Sequence, residues 1–127
     1  MVEVTAETKE RVIASFLNAL DRHDADAMMS HMGDDCMFET AGGPEVFGYR
    51  YLGREDVRSG FASLWDGLPD ARWVVSSIVM CGDKAFSEWT VSATRPDGGQ
   101  FEANGVDLFT FDADKIAVVI SYRKYRA

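Results

Sequence analysis

The sequence is poor in residues that build covalent or metal-held scaffolds, with two cysteines and two histidines among 127 residues. Cys36 and Cys81 lie 45 positions apart. That spacing matches no metal-ligand motif and makes a poor disulfide framework, so both read as reduced, structural thiols. Positive charge is scarce: 13 Lys and Arg stand against 21 Asp and Glu, a formal net charge of −8. Such a balance argues against nucleic acid or an anionic membrane as partner, because phosphate binding needs a concentrated basic surface. The one basic cluster, Arg123, Lys124 and Arg126, is too small to reverse that. No run of about 18 apolar residues occurs, and no basic segment followed by an apolar run opens the chain, so export and membrane spanning are both unsupported. The expected location is the cytoplasm. No Gly-rich phosphate loop, Ser-His-Asp pattern, cysteine nucleophile, repeat or low-complexity tract is present.

What is present suffices for a core. Hydrophobic residues make up 46% and aromatic ones 12%, enough for one domain over 1–127. Val12, Ile13, Phe16, Leu17 and Leu20 recur at helical spacing, predicting a helix from Thr5, its N-cap, to Asp21 with Glu7 in the first turn. A shorter helix is expected from Asp24 as N-cap, carrying Ala27, Met28 and Met32. CMFET (36–40) reads as a strand, and Gly42, Gly43 and Pro44 open an irregular segment in which a short strand could pair back. A third helix is expected after Gly53, bearing Val57, Phe61, Leu64, Trp65 and Leu68 and stopped by Pro69.

The hydrophobic period then changes from 3.6 to 2. Four antiparallel strands are predicted near 71–81, 84–95, 100–111 and 115–125, separated by CGDK, RPDGG and DADK. Their length implies a twisted or bulged sheet, and three helices followed by such a meander make an α+β domain. In the third of these strands Phe101, Ala103, Gly105, Asp107, Phe109 and Phe111 share a face, with Val106 and Leu108 on the other. Both faces are apolar near the middle. Helices can cover only one, so a homodimer through the outer face of the sheet is expected.

Asp107 is the anomaly in GVDLFTFDADKI (105–116). A lone carboxylate on a phenylalanine face faces a desolvation cost of several kcal/mol. It can be relieved by a raised pKa, by pairing with a cation such as Arg123, or by a hydrated pocket. Two registers compete on the last strand. A two-residue turn at Ala113–Asp114 puts Ile120 opposite Asp107 and turns Tyr122 inward, whereas a bulge turns Ser121 and Arg123 inward.

The order of these elements, with GDDCMFET (33–40), GRED (53–56) and GVDLFTFDADKI, resembles the NTF2-like superfamily over nearly the whole chain, in its SnoaL-like and ketosteroid isomerase-like branch. The resemblance implies a cone-shaped α+β barrel, three N-terminal helices packed on a strongly curved, mostly antiparallel sheet, with an apolar pocket between them. Carried over residue by residue, it places Thr40 where the isomerase has its base, Phe16 where that enzyme has a tyrosine, and Asp107 on its strand aspartate. Ser121 falls where limonene epoxide hydrolases carry a terminal-strand aspartate. Asp107 is therefore the candidate acid, base or hydrogen-bond donor, with Phe16, Thr40, Tyr51, Trp89, Phe109 and Tyr122 as candidate ligand contacts.

His23 and His31 sit among aspartates in DRHDADAMMSHMGDD, but those carboxylates coincide with caps and turns, so no metal is expected, nor any cofactor. Glu39 should turn to the opposite face from Thr40, and only a bulge would make it a reserve base. Two functions fit: a SnoaL-like, cofactor-independent isomerase, cyclase or lyase acting on a small apolar carbonyl compound, or a non-catalytic dimeric module binding a small hydrophobic ligand.

Overall fold

The computed structural model describes residues 4–125. Helix α1 spans Ala6–Asp21, and Thr5 caps it by accepting the amide of Thr8 at 3.1 Å. Asp24 caps the short α2, Ala25–Met29, through the amide of Ala27 at 3.0 Å. Strands β1 (Met32–Glu39) and β2 (Arg50–Leu52) flank a turn-rich segment, and α3 follows at Arg54–Ser63. The meander then runs through β3 (Arg72–Cys81), β4 (Lys84–Thr94), β5 (Gln100–Asp112) and β6 (Lys115–Arg123).

Two expectations about helix ends need correction. Met32 does not belong to α2, which ends at Met29; it opens β1. Helix α3 ends at Ser63, well before Pro69. Its final turn tightens into i to i+3 bonds, Leu64 to Phe61 and Trp65 to Ala62, and the chain leaves the helix there. Leu64 and Leu68 consequently come off the helix into the wall of the cavity described below.

The strands form one six-stranded sheet in the order β2-β1-β6-β5-β4-β3. All pairs are antiparallel except β1 with β6. The sheet is not closed into a barrel, since β2 and β3 are its two edges.

Both features weighed for the last hairpin occur together. Asp112 pairs with Lys115 across a two-residue turn, with Ala113 in the left-handed region at φ 54°. The register then slips by one residue, so Thr110 pairs with Val118 and Asp107 faces Ser121. The bulge turns Ser121 and Arg123 to the inner face, where both line a cavity, and sends Tyr122 outward at 56% exposure.

Ile13, Phe16, Leu17 and Leu20 of α1 and Val57 and Phe61 of α3 pack on Phe109, Phe111, Ile116 and Val119 of the sheet. Phe16 meets Phe61 and Phe109 edge-on, with ring centroids 5.5 and 5.8 Å apart. Each such buried ring contributes about 1.5–3 kcal/mol of burial energy. At the end of α1, Asp21 accepts Arg72 Nε at 2.7 Å and the Trp73 amide at 2.9 Å. Arg72 beside it holds the Asp21 carboxyl below its ordinary range. These bonds pin the helix to β3 and fix Trp73 over the inner face.

Candidate functional site

Between the helices and the inner face of the sheet lies a cavity of about 150 Å³. Phe16 and Leu20 come from α1, Met28 from α2 and Phe61 from α3. Trp73, Trp89, Val91, Asp107 and Ser121 come from β3 to β6. Side chains from so many strands meet in one space only if that face is concave. Thr40, Ala41 and Gly42 lie at the rim, with Thr40 Oγ1 donating to the carbonyl of Gly42 at 2.6 Å.

Asp107 is the one acidic residue in this lining and is only 4% exposed. Ser121 Oγ donates to its Oδ1 at 2.5 Å, the only hydrogen bond to this carboxyl among the described residues. Burial dominates the electrostatics and pushes the Asp107 pKa up to about 6, against smaller downward pulls from Ser121 and then Trp89. Among the described residues the Trp89 indole N–H makes no hydrogen bond of ordinary geometry. Among the described residues Asp107 forms no ion pair; the Arg123 guanidinium lies instead over the Phe101 ring, 5.0 Å from its centroid. Pairing with Arg123 is therefore not what relieves this carboxyl.

Ser87, Asp107 and Ser121 stand side by side on β4, β5 and β6. Ser87 Oγ is fully buried without a partner among the described residues, which places an unused hydroxyl beside the carboxyl. The next row pairs Trp89 with Gly105. A Cβ at position 105 would lie 2.3 Å from the indole Cη2, so only glycine lets the ring lie across β5. Gly105 thus shapes the cavity without touching its contents. A glycine inside an otherwise regular strand pattern is the signal that points to it in the sequence.

Of the candidate contacts, Phe16, Thr40 and Trp89 line the cavity with Asp107. Tyr51, Phe109 and Tyr122 do not. Tyr51 pairs with Phe38 across β1 and β2 and stacks on its ring at 6.0 Å, so Phe38 stands between it and the cavity. Phe109 is wholly in the core, edge-on to Phe16. Tyr122 lines an open groove of about 570 Å³ on the opposite face, with Glu88, Thr90 and Asn104.

Glu39 is buried outside the cavity, where Arg50 Nε and Nη2 contact Oε2 at 2.7 and 2.6 Å. Arg50 in turn covers the Phe47 ring at 3.9 Å. Glu39 is thus committed to holding the 41–49 segment and is no reserve base. His23 Nε2 lies 2.6 Å from the Ala71 carbonyl and its ring stacks on Trp65, whereas His31 bonds Ser15 at 3.0 Å. Among the described residues no group of three or more His, Cys, Asp or Glu could hold a metal ion. Cys36 and Cys81 are free, the first buried and the second exposed. Among the described residues no helix is long and apolar enough to cross a membrane.

Solved structures share this architecture. An NTF2-like protein of unknown function from Mesorhizobium loti is 21% identical, with a TM-score of 0.79 over 98% of each chain. A candidate SnoaL-like polyketide cyclase from Jannaschia is 13% identical, with a TM-score of 0.81 over 98% of this chain and 92% of that one. A candidate polyketide cyclase from Xanthomonas campestris is 21% identical, with a TM-score of 0.75 over 94% and 91%. At these identities the likeness shows the fold. No curated protein matches the sequence. Residues 13–119 match the SnoaL-like domain model, and the chain belongs to the SnoaL-like family.

Proposed function

We propose that the protein is a cofactor-independent isomerase, cyclase or lyase that moves a proton next to the carbonyl of a small, largely apolar compound. The observation that carries this reading is Asp107, a buried carboxyl at an apolar cavity, unpaired with any cation among the described residues and with a pKa of about 6. A base poised near neutrality both removes a carbon-bound proton and returns it. Ser121 fixes Oδ1, and in this reading Oδ2 acts on the substrate. The apolar walls exclude water, which strengthens the interaction between the carboxyl and a developing enol. The polyketide cyclase neighbours support this class of chemistry, although the substrate here must suit a cavity of only about 150 Å³, close to the volume that takes one six-membered ring.

The test is hydrogen–deuterium exchange at the α-carbon of ring-sized ketones in D2O, followed by NMR. Wild-type protein should accelerate exchange, and Asp107→Asn should slow it by about 10²–10⁴-fold. Equal rates in the two proteins would exclude Asp107 as the base. Tight retention of the ketone without exchange would instead identify a non-catalytic binding module.

We also propose that a second copy covers the outer face of the sheet. Val79, Phe86 and Leu108 are register neighbours there and remain 42%, 36% and 39% exposed.

A further inference from the structure

Two guanidinium groups converge on one ring where β6 ends. Arg123 lies 5.0 Å and Arg95 lies 5.2 Å from the centroid of Phe101. Among the described residues neither has a salt bridge, whereas Arg22, Arg50, Arg58 and Arg72 each hold a carboxylate. An exposed, solvated arginine is ordinary. Arg123 differs because the β6 bulge turns it to the inner face, where it borders the cavity as well as the outer groove. Its register partner is Gly105, across which the Trp89 indole lies. Phe101 supports the guanidinium from one side and leaves its N–H fork unused.

We propose that Arg123, with Arg95 behind it, receives a carboxylate of the substrate, so that the compound handled at Asp107 is a ring-sized oxo acid rather than a neutral ketone. This rests on the reading of Asp107 given above and names its substrate class. Ser121, which holds Asp107, and Arg123 are two residues apart on β6, and the Arg123 side chain reaches from there toward Phe101. A carboxylate fits better than a phosphate. It brings a single charge, it matches the planar fork of one arginine, and the chain already carries a net charge of −8. Placing the anion at the solvated mouth keeps its desolvation small while the ring fills the apolar interior.

The experiment compares two probes of one shape, 4-oxocyclohexane-1-carboxylate and 4-methylcyclohexanone, by NMR titration at low salt. Wild-type protein should bind the acid about tenfold more tightly, and the preference should shrink as salt is added. Arg123→Gln should bring the two affinities within about twofold. Arg123→Lys, which keeps the charge without the fork, should retain only part of the preference. Equal binding of both probes to the wild type would overturn the anion site and leave the carbonyl pocket standing. A preference that survives in Arg123→Gln would also overturn it. If neither probe binds the wild type, this inference and the pocket reading fall together.

Discussion

Asp107 works against the stability of the fold it occupies. Its pKa is about 6 in the folded chain and 3.8 in the ordinary state, because burial disfavours the charged form. The folded protein therefore holds this proton at a pH where the unfolded chain has released it. Stability is lost as pH rises from about 3.8 to 6, and the full cost, about 3 kcal/mol at most, is present above that range. Asp107→Asn keeps the shape and the bond to Ser121 but removes the titration. The variant should therefore be more stable than the wild type at pH 7.5 by up to about 3 kcal/mol and differ little at pH 4, as read from denaturant melts at the two values. All other titrating groups are common to both proteins and cancel in the comparison. An equal difference at both pH values would mean that the carboxyl is not desolvated. If Asp107 is the base, kcat/KM should rise with pH through about 6 and level off above it, so activity is gained over the range in which stability is lost.

At the scale of elements, β5 and β6 decide which side chains meet. Gly105→Ala would set a Cβ against the Trp89 ring and against the Tyr122 carbonyl, 2.6 Å away, and neither can move without disturbing the sheet. The expected cost is about 1–3 kcal/mol. The displaced indole should also narrow the cavity and weaken ketone binding, measurable by NMR titration beside a denaturant melt. An alanine variant with unchanged stability and binding would show that the ring does not need this gap. The elements themselves were legible from the sequence, because the period changes from 3.6 to 2 after Pro69 and Thr5 and Asp24 announce two helix starts. Asp107 was legible as an outlier on an apolar face. The bulge between Thr110 and Phe111 was not, since Ala117 carries no mark of being the extra residue, and with it went the orientation of Ser121, Tyr122 and Arg123. Tyr51 was misplaced for a related reason. Periodicity tells which face a residue occupies but not that Phe38 on the neighbouring strand stands in front of it.

For the molecule as a whole, the open question is what lies against the outside of an open sheet. The helices and the cavity occupy the inner face, so the outer row of Val79, Phe86 and Leu108 has no cover among the described residues. Val74 and Tyr122 extend the apolar surface on either side, at 68% and 56% exposure. A second copy placed there would remove these side chains from water, and a two-fold arrangement closes on itself, leaving no sticky surface to recruit further copies. It would also stiffen the strands that carry Asp107, Ser121 and Arg123, since alternate residues of those strands form the two faces. Leu108 is the residue to change, because its neighbours Asp107 and Phe109 point the other way. Leu108→Glu should give the mass of one chain in light scattering where the wild type gives that of two. A carboxylate buried opposite its own copy costs several kcal/mol, enough to dissociate a dimer at micromolar concentration. The variant should keep its circular dichroism spectrum, since the substituted side chain lies outside the core. A wild-type mass of one chain across the same concentrations would remove the second copy as the cover of this face.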